Sequence, residues 1–243
     1  MILIDKTAFF NLYNLIYFFT ACLVLASALS SEIKKDIVLQ NKLGQYLVFL
    51  PLIFLIFLVG FRGYDVGVDT ISYFDILWAE TTELNFEGEF LFDSIALVMR
   101  NKGLDFSYFL LLISFLFYIF IYKALKNFTD RFEANLLITF FACMSFFFYL
   151  NMSINVIRQG LSLSILMFVY SLWVNRKGSI IITIVLLLLT LTIHSSSIFP
   201  ISLLFIAYFL VRMGFFNYII FIYTRILICI NKIINYTISK IYE

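Results

Sequence analysis

An all-α fold of membrane-spanning helices is what this sequence predicts, and three observations predict it. Hydrophobic residues make up 63% of the 243 and charged residues only 13%, where soluble domains sit nearer half and a quarter. The mean hydropathy is +1.02. The apolar residues also gather in runs of about the length that crosses a bilayer. This composition excludes a soluble globular domain and a disordered chain. With 17 Lys+Arg against 15 Asp+Glu the net charge is only +2, so no basic excess exists to engage a phosphate backbone, and nucleic acid is not an expected partner.

The runs suggest a single bundle of seven to eight spans occupying residues 1–243. Span one is read at Phe9 to Ser30; its Asp5-Lys6 start lacks the cationic flank of a cleavable signal peptide. Span two covers Tyr46 to Phe61 and ends at Arg62. Span three covers Phe106 to Tyr122 and ends at Lys123. Span four is Leu136 to Leu150, and span five is Gly160 to Val174, ended by Arg176-Lys177. Gly178 to Val211 is 34 residues without a charge. As one helix it would reach roughly 50 Å against a hydrocarbon core of about 30 Å. Two tight spans, turning at His194-Ser195-Ser196-Ser197 with Pro200 nearby, fit better. Phe215 to Ile230 is an eighth span, interrupted by Arg225. The 225–243 tail repeats isoleucines near helical period opposite Asn231, Lys232, Asn235 and Lys240, the pattern of an interfacial amphipathic helix.

Charge orients the bundle. Four alternating connections hold nine cations: Lys34, Lys35 and Lys42; Lys123, Lys126 and Arg131; Arg176 and Lys177; Arg212. The positive-inside rule makes these cytoplasmic and places the N-terminus outside. The remaining connections then face outward, including the 62–105 segment. That long acidic extracytoplasmic loop holds nine of the fifteen acids against three cations, a net charge of −6. Within it, Phe90 to Met99 reads as a short amphipathic helix over the bundle. Cys22, Cys143 and Cys229 lie in apolar runs at spacings that suit neither a metal nor a disulfide.

Polar groups in or beside spans are costly, so they are the best functional pointers in such a chain. Three clusters stand out. The first runs from Arg62 to Tyr73. Gly63 and Gly67 permit tight turns, Arg62 offers a fork of donors for phosphate or carboxylate, and Asp69 or Thr70 is placed to cap a helix leading to Tyr73. The second is Asn151, Asn155, Arg158 and Ser162, with Gln159 beside them; spacings of 4, 3 and 4 put the four on one helical face. The third is His194, the only histidine, with Ser195, Ser196 and Ser197. An imidazole serves as general base, general acid or phosphate donor near neutral pH. Each cluster alone has an ordinary reading as a capped loop, a helix start or a structural histidine. All three, however, fall on the outer side. Two cations and one imidazole at an outer mouth suit an anionic headgroup. A metal site is not expected, because His194 is the only imidazole and transition-metal sites prefer several His or Cys.

These residues are similar to a known family. Phe61-Arg62, Val66-Gly67-Val68-Asp69-Thr70 and Tyr73 resemble the hallmark of the EpsG family of Wzy-like bacterial polysaccharide polymerases. Ile157-Arg158-Gln159-Gly160-Leu161-Ser162 resembles its second motif, and His194-Ser195-Ser196-Ser197-Ile198 its third. The resemblance spans about Phe49 to Val211. Family members usually continue through further spans, so a C-terminally truncated member is the expectation. The resemblance implies a metal-independent glycosyltransferase of the bacterial cytoplasmic membrane, of the kind that makes exopolysaccharide, capsule or O-antigen. It would join oligosaccharide repeat units carried on undecaprenyl pyrophosphate at the outer face, with no cofactor and with membrane lipids around it. A flippase and a chain-length regulator are the implied protein partners. Arg62 and Arg158 would bind the pyrophosphate, with Gln159, Thr70, Tyr73 and Gly67 lining the substrate site. His194 would orient the diphosphate or deprotonate the acceptor, and Asp69 is the alternative base or a partner for Arg62. A transporter or flippase for a lipid-linked or anionic solute would use the same cations. Against it stand the lack of internal repeats and of matched Gly/Pro-interrupted spans. A non-catalytic remnant is the third reading.

Overall fold

The computed structural model describes residues 3–34, 43–80, 89–175 and 178–212. Every element named among them is helical, apart from one isolated bridge between Ile4 and Arg62. The chain divides into two compact units, Met1–Ser197 and Ile198–Glu243.

The first unit is a bundle. Four of its helices are long and apolar enough to cross a membrane: Lys6–Leu29 within the longer Lys6–Lys34 helix, Leu43–Gly60, Phe106–Phe132 and Ile157–Val174. A fifth crossing is available if Leu136–Met144 and Phe148–Ile154 together make one span, although the pair is bent by 75°. Ile180–Ile193 and Ser195–Ala207 are apolar but shorter. Among the described residues, four or five crossings thus stand by length, against the seven to eight expected over the whole chain. The eighth span and the 225–243 tail lie outside the described residues.

Local chemistry explains the differences from the expected bounds. The first helix starts at Lys6 because Asp5 caps it, its Oδ1 accepting from the Ala8 N–H at 2.9 Å. The helix expected to stop at Tyr122 continues to Phe132 and ends with Glu133 in the left-handed region, φ 54°. The fourth span is not straight. At its break the Ser145 hydroxyl donates back to the Phe141 carbonyl at 2.9 Å, and Phe146 turns extended; such back-bonding competes with the helical ladder. Phe90–Asn101 forms the expected amphipathic helix, burying Phe92, Ala96 and Leu97. The acidic 62–105 segment is therefore substantially helical, for Thr70–Ser72 and a π-helical stretch Tyr73–Glu80 precede that helix.

Chain direction alternates through this unit. Ile4 donates to the Phe61 carbonyl at 2.9 Å and accepts from the Gly63 N–H at 2.6 Å, so the start of the first helix and the end of the second share one end of the bundle. At the other end Asn135 donates to the Ser27 hydroxyl at 3.4 Å and caps its own helix through Leu137 and Ile138. The core between is aliphatic and aromatic, with Phe9, Leu55, Val59, Tyr118, Leu137 and Phe140 fully buried.

The described part of the second unit is one helix, Ile198–Arg212. Pro200 sits in its first turn, where a missing N–H leaves no helical bond unmade.

Candidate functional site

The 62–70 turn is folded around a buried arginine. The Arg62 side chain is 1% exposed. Its Nη1 donates to the Val59 carbonyl at 2.7 Å, its Nη2 to the Ile154 carbonyl at 3.3 Å and its Nε to the Thr70 hydroxyl at 3.3 Å. Thr70 in turn donates to the Val66 carbonyl at 2.6 Å. Burial pushes the Arg62 guanidinium down to about 10. Gly67 adopts φ +87°, and a Cβ there would lie 2.7 Å from both the Asn155 Oδ1 and the Ile154 carbonyl oxygen. Asn155 Oδ1 accepts from the Val68 N–H at 2.7 Å. The turn is thus sewn onto the break between Phe147–Ile154 and Ile157–Val174.

That break corrects one expectation. Asn151, Asn155, Arg158 and Ser162 do not form a stripe on one helix, because the helix stops at Ile154 and restarts at Ile157. Asn155 serves the Val68 N–H. Ser162 meets the Ser197 hydroxyl and lies 3.5 Å from the Thr190 carbonyl. Arg158 goes elsewhere.

Arg158 and His194 meet at Glu89. Arg158 Nη1 donates to Glu89 Oε2 at 2.6 Å, and Nη2 stands 3.2 Å from Asp93 Oδ1. The guanidinium lies over the rings of Tyr73 and Phe92, 5.4 and 4.9 Å from their centroids. Its Nε is buried and has no hydrogen-bond partner among the described residues. The other Glu89 oxygen, Oε1, hydrogen-bonds to His194 Nδ1. Glu89 holds the cap position of the Phe90–Asn101 helix without capping it through its side chain. His194 occupies the matching C-cap position of Ile180–Ile193, in extended conformation. Two helix starts and one helix end therefore deliver the three groups.

The electrostatics are uneven. Burial works against the Glu89 carboxylate, but hydrogen bonds from Arg158 and His194, and their charges, outweigh it and lower its carboxyl. Asp93 goes the other way: burial raises its carboxyl despite Arg158, and Glu89 adds to the rise. Burial likewise raises the Tyr73 phenol.

Arg158 also lines a cavity of about 250 Å³ with Asp69, Ser72, Tyr73, Ile76 and Leu77. So Asp69, Tyr73 and Arg158 come together at one cavity, while Arg158 and His194 are joined through Glu89. Arg62, Thr70 and Gly67 lie in the supporting turn, and Gln159 is exposed. Sequence reasoning counted Glu89 and Asp93 among the loop acids without singling them out. The available signal was the acid standing just ahead of an amphipathic helix.

The fold and this cluster define a membrane-spanning helical protein with a carboxylate–histidine–arginine site at one end of its bundle. The chain belongs to the EpsG family, whose model matches residues 45–243. No curated protein and no solved structure matches it.

Proposed function

We propose that the chain is a polysaccharide polymerase. It joins oligosaccharide repeat units carried on undecaprenyl pyrophosphate at the outer face of a bacterial cytoplasmic membrane, with its N-terminus outside. Membership of the EpsG family supports the reaction class. The observation that carries the chemistry is the Glu89–His194 hydrogen bond. A carboxylate on Nδ1 fixes the proton there, leaving Nε2 of the neutral ring as a base. Nε2 takes the acceptor hydroxyl proton as that oxygen attacks the anomeric carbon. The bond from that carbon to the lipid pyrophosphate breaks, and the pyrophosphate leaves with the electron pair. Asp69, on the 250 Å³ cavity, is the alternative base.

The two arginines take different parts in this reading. Arg158 holds Glu89 in place, and a phosphate oxygen entering beside it would give its Nε–H an acceptor that the described residues do not supply. Arg62 spends its donors on Val59, Ile154 and Thr70, so we assign it to positioning the turn rather than to binding pyrophosphate. Gly67 and Thr70 share that positioning role. Tyr73 lines the cavity, and exposed Gln159 is left to the approach.

The test is His194→Gln in a deletion host, with membrane levels matched by blotting. Polymer should disappear and single lipid-linked repeat units should accumulate at the outer leaflet. Unchanged polymer length and yield would overturn the assignment. Accumulation at the inner leaflet would point to a flippase instead.

A further inference from the structure

Three cavities sit toward the end of the bundle that holds Ile4 and Arg62, and their linings differ in kind. The one beside Arg158 is charged. A second, of about 590 Å³, lies against the Leu12, Leu15, Ile16 and Phe19 face of the first helix and is lined only by apolar side chains. A third, of about 440 Å³, lies against Tyr13, Asn14 and Tyr17 and reaches Ser145 and Asn151 at the bent fourth span. Its polar groups are hydroxyls and amides, and among the described residues no charged one lines it.

We infer that this third cavity is a subsite for a neutral sugar of the growing or incoming glycan, an inference that rests on the polymerase reading. Its volume falls in the range of about 300–1,000 Å³ that small-molecule sites occupy. Two of its groups are fixed in place: Tyr17 and Ser145 share a hydrogen bond at 2.9 Å, and Tyr13 donates to the Met144 carbonyl at 3.4 Å. Asn14 is different. It is exposed on a helix apolar enough to span, and it makes no hydrogen bond among the described residues. An amide facing hydrocarbon would be costly, so this cavity is wet and its occupant brings donors and acceptors. The lack of charge excludes a pyrophosphate and favours sugar hydroxyls. The cavity lies at the 75° bend, where Ser145 and Phe146 line it.

The location fits two-substrate chemistry. Asn151 accepts from Asn155, and Asn155 holds the Val68 N–H, one residue before Asp69 on the charged cavity. The neutral and charged cavities therefore flank one short turn.

Substituted-cysteine labelling tests the subsite without asking for activity. Asn14→Cys and, as a second position, Ser145→Cys would be made in the full chain with Cys22, Cys143 and Cys229 replaced by Ser. Intact host cells would be treated with a membrane-impermeant maleimide. The probe ligand is the host's own repeat-unit oligosaccharide, released from its lipid by mild acid. We expect labelling from outside at both positions, slowed at least threefold by millimolar oligosaccharide and unaffected by inorganic pyrophosphate. Absence of labelling at both positions overturns the inference. So does labelling indifferent to the oligosaccharide, which means a cavity that holds water alone, and so does equal protection by pyrophosphate. Protection in a His194→Gln background that still makes normal polymer would retain the subsite while removing the catalytic assignment.

Discussion

Glu89 and His194 stand 105 residues apart in sequence, yet Glu89 Oε1 and His194 Nδ1 share a hydrogen bond while Glu89 Oε2 holds Arg158. One carboxylate thereby orients an imidazole and locks a guanidinium that is itself stacked on Tyr73 and Phe92. None of the three groups is more than a quarter exposed. The pairing matters because an imidazole works as a base only when its tautomer and orientation are set.

Glu89→Gln keeps the shape of the side chain and removes the charge. The amide can still meet Nδ1, but it no longer fixes the proton there, and it pairs more weakly with Arg158. Polymer formation in isolated membranes should fall about 10- to 100-fold, less than the roughly 10²- to 10⁴-fold loss expected when His194, the base itself, becomes Gln. Equal losses in the two variants, or none in Glu89→Gln, would separate the carboxylate from the chemistry.

Arg62 should behave as a structural residue. Arg62→Met leaves the Val59 carbonyl without its side-chain donor in a buried site and the Ile154 carbonyl with the Thr70 hydroxyl alone, at about 1–3 kcal/mol for an unsatisfied group. The expected outcome is loss of monodisperse protein in detergent and a lowered Tm. Arg62→Lys should rescue little, since one compact ammonium cannot span three acceptors arranged for a planar fork. A well-folded Arg62→Met protein with weakened lipid-pyrophosphate binding would restore the ligand role that the sequence suggested.

Why the sequence led to Arg62 as readily as to Arg158 is a physical matter. Spans are legible because hydropathy is a local property, and the helices beginning at Lys6, Phe106 and Ile157 lie close to where apolar runs begin. The fold class and the convergence of the three clusters on one end follow from alternation of spans. Partner choice is not local. Arg158 meets Glu89 across 69 residues, and nothing near either residue announces the other. The bend at Ser145 is also hidden, since it lies inside an apolar stretch and a single hydroxyl bonds back to the chain there, while the break at Asn155 accompanies a contact with Val68, 87 residues away.

Gly67 gives a sharper test of the turn. Its φ of +87° is open to glycine and strained for other residues, and an added Cβ would press on Asn155 and the Ile154 carbonyl. Gly67→Ala should cost about 1–3 kcal/mol in stability and should loosen the Val68–Asn155 bond. Thermal unfolding followed by size-exclusion chromatography reads the cost. A Tm equal to that of the parent would mean the turn is free to move away from the helix break.

The two acids on Arg158 should respond to pH with opposite signs. The Glu89 carboxyl is lowered in the folded protein, so its contribution is present above the ordinary glutamate range and is lost as pH falls through the lowered folded value. The Asp93 carboxyl is raised, so it binds its proton more tightly when folded, and its ionisation opposes folding as pH rises from the ordinary aspartate range. At neutral pH, then, Asp93→Asn should leave Tm unchanged or slightly higher, while Glu89→Gln should lower it by an amount corresponding to about 1.5–3 kcal/mol for the lost charged hydrogen bonds. Below about pH 4 the Glu89→Gln penalty should shrink as the parent protonates. Tm profiles of the parent and both variants from pH 7 to pH 3.5 decide it. A Glu89→Gln penalty that stays constant to pH 3.5 would show that the carboxylate charge does not hold this cluster together.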